Sequence, residues 1–158
     1  MILGYAFTVM KPEYIFTTVT IMIGIFVAYT AYNQYRLSKD KFKLDMFEKR
    51  YGVYKNTQGF LTKILKDAKI EMEDIFEFRA GTQDSVFLFE EDIPNYIKAI
   101  DNKAWELWEI HESLDGIPKG EERSNMCRKQ TEIFGWLRSQ LPELKNKFAP
   151  YLKFKTWK

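Results

Sequence analysis

One stretch of the chain decides its fold: Tyr14-Ile-Phe-Thr-Thr-Val-Thr-Ile-Met-Ile-Gly-Ile-Phe-Val-Ala-Tyr-Thr-Ala-Tyr32, nineteen residues without a charge. A helix needs roughly 20 mainly apolar residues, each rising about 1.5 Å, to cross a hydrocarbon core of about 30 Å. The stretch has that length. Pro12 also suits the start of such a helix, because proline lacks the N–H that would be unpaired there. We therefore predict a transmembrane helix over about residues 14–32, within an anchor of residues 1–35.

Basic residues follow the span more densely than they precede it. Lys11 comes before it, whereas Arg36, Lys39, Lys41 and Lys43 come directly after it. Because segments rich in Lys and Arg stay in the cytoplasm, we predict a single-pass protein of the inner (plasma) membrane whose C-terminal domain is cytoplasmic. A cleaved signal peptide is the alternative, but its apolar run is usually only 7–15 residues long. We favour a retained anchor.

Two sets of residues are candidates for contacts in or at the bilayer. Small side chains recur every four residues at Thr20, Gly24 and Ala28, and such spacing lets two helices approach closely in lipid.

Each juxtamembrane lysine contributes about 1 kcal/mol of attraction to anionic lipid. The predicted membrane-surface contacts are Arg36, Lys39, Lys41 and Lys43, joined by Trp157 and Lys158 of a basic aromatic tail.

Overall composition excludes several classes of protein. The chain has 24 basic and 22 acidic residues, a net charge of +2, which is too balanced for a general nucleic-acid-binding protein. Its one cysteine, Cys127, excludes an intrachain disulfide. About 120 residues remain after the anchor, enough for one compact domain. We place that domain at residues 36–150 and the tail at 151–158.

The apolar pattern after the span predicts that the first helix continues into the domain. A heptad seam alternates steps of three and four residues, and a second apolar row widens its face. A wide face is typical of a helical bundle, whereas an isolated two-stranded coiled coil, the alternative, has a narrow one. The seam comprises Leu44, Phe47, Tyr51, Tyr54, Gln58, Leu61, Leu65 and Ala68, and the second row Phe42, Met46, Val53, Phe60 and Ile64.

Four further signals divide the rest of the domain into helices. Acidic residues from Glu71 onward favour a short helix that starts there. The run 86–89 is either a short buried strand or, as we expect in the absence of a partner strand, a helical turn capped by Thr82. A helix is predicted from Asp92 to residue 115. A last helix is predicted from Glu121, with a kink or a restart at Pro142 and its end at Pro150. The expected fold is an all-α antiparallel bundle.

The tail from Tyr151 to Lys158 alternates bulky apolar residues with lysines and has no acidic residue. In an antiparallel bundle of four main segments, it returns toward the bilayer. Trp157 and Lys158 would then contact the membrane surface. Packing on the edge of the bundle and disorder are the alternatives.

The sequence lacks a recognisable catalytic constellation. His111 has no second histidine four residues away, as a helical zinc site requires, and Leu107 and Asp115 occupy those positions. Cys127 lacks the local signature of a catalytic cysteine. We expect a structural histidine and an inert thiol, with no metal, no cofactor and no small-molecule ligand.

Two segments carry a resemblance to known proteins. Leu44-Asp-Met-Phe-Glu-Lys-Arg-Tyr-Gly-Val-Tyr54 and Val86-Phe-Leu-Phe-Glu-Glu-Asp-Ile93 are similar to segments of small uncharacterised bacterial inner-membrane proteins. Those proteins have an amino-terminal anchor and a cytoplasmic helical domain. The resemblance implies this architecture and no activity.

These signals predict a non-enzymatic protein whose partners are the lipid bilayer and either a second copy or another protein. It would act as a protein-interaction or oligomerisation module at the cytoplasmic face. The alternative is a membrane-perturbing effector of a bacterial stress or phage-defence system, in which assembled spans disturb the bilayer. An unrecognised enzymatic site is the least favoured reading.

Overall fold

The computed structural model describes residues 12–114 and 116–153. Within these ranges the chain forms helices and no strand, which confirms the predicted all-α class. The chain divides between Leu44 and Asp45 into two compact units. The predicted boundaries at residues 35 and 150 remain predictions. The helices are α1 (Pro12–Asp67), α2 (Met72–Thr82), α3 (Ser85–Leu88), α4 (Asp92–Leu114) and α5 (Glu121–Leu152).

The second unit contains the hydrophobic core, and α1 packs into it mainly with the second apolar row of the predicted wide face. The core side of α1 is Val53, Thr57, Phe60, Leu61 and Ile64. Their spacing of 3.6 residues per turn is that of a globular packing face and favours the second apolar row over the heptad seam.

The predicted seam therefore forms only one edge of the buried face of α1. Leu61 of the seam is fully buried, but Leu44 is 48% exposed and Tyr51 is also exposed. Ala68, the last residue of the predicted seam, lies beyond the helix with a φ of 51°. Since the left-handed region costs an L-residue about 1–2 kcal/mol, Ala68 marks the point where α1 stops.

α2 runs antiparallel to α1 in the second unit. Two contacts fix this direction, Lys63 with Asp74 and Asn56 with the carbonyl of Gly81, and the contact of Arg50 with the carbonyl of Leu88 in α3 continues the same order. As the residue number rises along α1, the number of its partner falls. The start of α2 follows the prediction, because Glu71 and Asp74 form a capping box that satisfies backbone N–H groups at its first turn.

The segment after α2 is helical, as predicted, but Thr82 does not cap it. Thr82 is the last residue of α2, where it is buried and its hydroxyl donates to the carbonyl of Phe78 at 2.7 Å. α3 begins after Asp84 instead. A threonine inside a helix commonly satisfies its own hydroxyl through the carbonyl four residues earlier, and this contact replaces the predicted cap.

α4 and α5 also pack antiparallel, as expected for a bundle. Arg123 donates to the carbonyl of Leu114, Lys129 pairs with Glu106, and Tyr96 donates to the carbonyl of Gln140. Arg123 donates a second hydrogen bond to the carbonyl of Ile117, so it closes the connection between the two helices at both of its ends. The fully buried side chains between these helices include Ile100, Leu107, Leu137, Leu144 and Phe148.

α5 continues through both of its prolines. We predicted a kink or a restart at Pro142 and an end at Pro150. The helix runs unbroken to Leu152, so the restart and the end are wrong, whereas the kink stays a prediction. Each proline removes the donor for the carbonyl four residues earlier, at Arg138 and Asn146. Both of those residues are exposed, so solvent can satisfy the freed carbonyls. This continuation brings Tyr151 into the bundle.

Candidate functional site: the exposed half of α1 and an acidic surface

The first half of α1 exposes apolar side chains on all its sides. Phe26 is 67% exposed, and Ile21, Ile23 and Ile25 are exposed to a similar degree. In the described ranges, α1 is the one helix long and apolar enough to cross a membrane. Monomeric soluble proteins rarely expose so continuous an apolar surface, because its hydration is unfavourable.

The threonines in this half of α1 satisfy their hydroxyls within the helix. Thr17, Thr18 and Thr20 each donate to the carbonyl four residues earlier, at 2.8–2.9 Å. Thr30 donates to the carbonyls of Phe26 and Val27. A hydroxyl without a partner is costly in hydrocarbon, and these contacts remove that cost without a second chain.

The predicted small-residue stripe lies on the surface of α1. Thr20, Gly24 and Ala28 are all exposed. A Cβ added at Gly24 would have no atom within 4 Å, so the fold of a single chain does not require glycine there. A larger residue at this position therefore tests contacts with another helix and leaves the fold of the single chain unaffected.

The predicted membrane-surface residues are only partly described. Arg36, Lys39 and Lys41 are exposed, and Lys43 is half-buried. Trp157 and Lys158 lie outside the described residues, and their membrane contact stays a prediction.

An acidic surface that the sequence reasoning missed lies on α2, α3 and the residues after them. Residues 71–92 contain eight acidic residues and one basic residue, a net charge of −7 in a chain whose total is +2. Phe76, Val86 and Phe87 are exposed among these charges, and Phe87 is 83% exposed. The local charge imbalance could have revealed this surface from the sequence. Nothing in the sequence indicated that Val86 and Phe87 would be exposed.

Three of these eight acidic residues have structural partners. Asp74 pairs with Lys63, Glu71 pairs with Lys69, and Asp92 accepts the Tyr151 hydroxyl at 2.7 Å. Within the described part of the chain the other five form no ion pair, and all are exposed: Glu73, Glu77, Asp84, Glu90 and Glu91. Five of the eight negative charges on this surface are therefore not neutralised by an ion pair within the described residues.

Arg50 fixes the position of α3 relative to α1 and α5 in the second unit. Its guanidinium donates to the carbonyl of Leu88 at 2.9 Å and lies 5.7 Å from the ring centres of Phe89 and Tyr151. Burial and the neighbouring Asp92 carboxylate raise the pKa of Tyr151 to about 12. Since arginine can stack on aromatic rings while its N–H groups remain free to donate, it holds three segments together here.

The polar residues that line a cleft between α1 and α2 are explained by their structural role at the start of α2. It has a volume of about 170 Å³ and is lined by Asn56, Lys63, Asp74 and Glu77 among others. The hydrogen bond to Asp74 raises the pKa of Lys63, which stays protonated, and Asp74 also accepts the backbone N–H of Glu71. Both charges thus stabilise the start of α2 and are not free for chemistry.

The residues considered for chemistry do not form a site in the described ranges. His111 is half-buried on α4, and Cys127 is exposed on α5. In residues 12–114 and 116–153, no group of three or more His, Cys, Asp or Glu side chains is placed to hold a metal ion. The expectations of no enzyme activity and no cofactor stay predictions.

Comparisons with known proteins identify no relative. No family model matches the chain, and no curated protein or solved structure shows significant similarity to it. The resemblance to small bacterial inner-membrane proteins therefore stays a prediction.

Proposed function

We propose that this chain is a non-enzymatic, single-pass membrane protein whose helical domain serves as an interaction module at the cytoplasmic face, and that it self-associates through its span. The observation that carries the proposal is the exposed apolar half of α1, in which Phe26 and its neighbours have no protein cover. Lipid supplies the apolar surroundings that these side chains need. The basic residues after the span favour a cytoplasmic domain.

Self-association is supported by the small-residue stripe. Helices in lipid gain no hydrophobic free energy from contact, so close packing over small residues is a main source of their association. Thr20, Gly24 and Ala28 provide such a surface, and Gly24 has no role in packing the single chain.

The alternative of a membrane-perturbing effector has less support. A polar pore needs side chains that interact with water or ions inside the assembly. The threonine hydroxyls of the span donate to their own helix instead, and no charged residue lies between Tyr14 and Tyr32.

The test measures energy transfer between two differently labelled full-length chains in liposomes, over a range of protein-to-lipid ratios. We expect the wild type to associate and Gly24→Ile to weaken association about tenfold, because the added side chain separates the two backbones. Met22→Ile, on the other side of the helix, is the matched control and should behave like the wild type. A wild type that stays monomeric at every ratio would overturn the proposal.

The same liposomes test the effector alternative. If they retain a potassium diffusion potential when the chain is present at ratios that give full association, the effector alternative fails. Loss of the potential in the wild type, but not in Gly24→Ile, would replace the interaction module with the effector.

A further inference from the structure

We propose that the acidic patch around α3 docks against the basic helix segment Arg36–Lys43 of a second copy of this chain. The acidic patch is defined as Asp84, Val86, Phe87, Glu90 and Glu91. The proposal rests on the proposed self-association, and it names the surfaces that pair outside the bilayer.

The acidic patch combines charge with exposed apolar area. Residues 84–92 carry four acidic residues and no basic one. Phe87, at 83% exposed, is the most exposed of the large hydrophobic side chains in the described residues, and Val86 beside it is also exposed. A protruding aromatic residue surrounded by charges is typical of the core and rim of a protein interface.

The basic helix segment has the complementary composition. Arg36, Lys39, Lys41 and Lys43 outnumber Asp40, which gives a net charge of +3. Leu37 is exposed, and Phe42 is 66% exposed. This segment therefore offers apolar area and positive charge together, as a partner for an acidic apolar surface must.

The helical register of α1 favours a second copy as the source of this segment. Phe42 follows Gly24 by eighteen residues, which is five turns at 3.6 residues per turn. Phe42 is thus on the same face of α1 as the small-residue stripe. A second copy that packs against Gly24 in the bilayer will lie on the side where Phe42 and Lys39 are exposed.

Few residues of the chain separate the basic helix segment from the contact that holds the end of α3. Arg50 donates to the carbonyl of Leu88, the last residue of α3. Only seven residues of α1 separate Arg50 from Lys43, about 10 Å along a helix. Two copies anchored in one bilayer would hold their Arg36–Lys43 segments at a common depth, and opposite charge would attract the acidic patch of one copy to that segment of the other.

The pairing of the acidic patch with the basic helix segment is complete in a dimer. Each copy has one acidic patch and one basic helix segment, and a two-fold arrangement satisfies both pairs at once. Opposite charges across such a contact steer association and exclude wrong partners, while the buried aromatic residues supply most of the affinity.

A charge-reversal experiment with two differently labelled full-length chains in liposomes tests the proposal. One chain carries Glu90→Lys and Glu91→Lys, and the other carries Lys39→Glu and Lys41→Glu. We expect each variant alone to self-associate at least about fivefold more weakly, because both of its contacts are repulsive. An equimolar mixture should recover wild-type association, since the two chains then pair opposite charges at both contacts.

The matched control is Glu73→Lys with Glu77→Lys, which reverses two exposed charges of α2 outside the acidic patch and should leave association unchanged. Equal thermal melting by circular dichroism shows that the variants are folded. A mixture that fails to recover overturns the pairing. So does a result in which Lys39→Glu with Lys41→Glu weakens association only in anionic lipid and the patch variant has no effect, since the segment then binds lipid.

Failure of this inference is distinguishable from failure of the proposed function. If Gly24→Ile weakens association but both charge reversals leave it unchanged, the span associates and the acidic patch takes no part. If the wild type does not associate at all, the proposed self-association fails as well.

Discussion

Asn56 and Gly81 meet so closely that a Cβ at position 81 would displace the Asn56 side chain between α1 and α2. The Asn56 amide donates to the Gly81 carbonyl at 2.7 Å, and a Cβ at position 81 would lie 2.7 Å from the same nitrogen and 3.0 Å from Cγ. Glycine therefore allows this hydrogen bond to form undisturbed, although alanine is the better helix former by about 1 kcal/mol.

Gly81→Ala should destabilise the bundle by about 1 kcal/mol, because it displaces the Asn56 side chain and breaks the hydrogen bond. In an Asn56→Ala background the obstruction is gone, so the same change should stabilise by about 0.5 kcal/mol through helix propensity. Urea unfolding of the full chain in detergent, followed by circular dichroism, measures both. An equal effect in the two backgrounds would refute the contact.

Leu61 and Leu44 belong to the same predicted seam but should respond differently to truncation. Leu61→Ala should cost about 2–4 kcal/mol of unfolding free energy, because Leu61 is fully buried and its removal leaves a cavity. Leu44→Ala, at a side chain 48% exposed, should cost less than about 0.5 kcal/mol. The same unfolding experiment compares them, and similar losses at both positions would mean that the seam and not the second row faces the core.

Tyr96 should make the bundle sensitive to alkaline pH. Burial and the Glu143 carboxylate raise its pKa to about 12, against about 10 in an unfolded chain. Between these values the unfolded chain loses a proton that the folded one keeps, so the stability supplied by Tyr96 is complete below pH 10 and is lost as pH rises toward 12.

The comparison with Tyr96→Phe isolates this effect from other groups that titrate at high pH. At pH 8 the wild type should be about 1 kcal/mol more stable, because Tyr96 donates to the Gln140 carbonyl. At pH 11 that advantage should shrink by about 1 kcal/mol. Tyr51→Phe, at an exposed tyrosine, is the control, and a pH-independent difference for Tyr96→Phe would contradict the expectation.

Cys127 offers a direct test of orientation, because it is exposed on α5. If the domain is cytoplasmic, a membrane-impermeant maleimide will label Cys127 in bacterial spheroplasts only after the inner membrane is opened. Thr8→Cys in a Cys127→Ser background should be labelled in intact spheroplasts. Labelling of Cys127 before the membrane is opened would reverse the orientation.

Much of the fold follows from signals that are local in sequence. Glu71 with Asp74 begins α2, Asp92 begins α4, and Glu121 begins α5, because capping side chains and acidic first turns act within a few residues. The length and apolarity of residues 14–32 can likewise be read from one short segment of the sequence. The predicted restart at Pro142 and the predicted end at Pro150 were wrong because the cost of proline depends on where the freed carbonyl lies, and exposure is not a local property.

The tertiary structure decided which faces are buried and which side chains lie on the surface. Whether Leu61 or Leu44 lies in the core depends on where α2, α4 and α5 pack, and a helix with two apolar rows is compatible with either choice. The acidic patch depends on tertiary contacts in the same way, since Arg50 holds the end of α3 through the carbonyl of Leu88, next to the exposed Phe87. The sequence by itself determined the helices and the apolar stretch of residues 14–32, because these follow from hydrophobicity and capping along one segment. The buried face of α1 and the exposure of Val86 and Phe87 were decided by packing between segments distant in sequence, which no local pattern encodes.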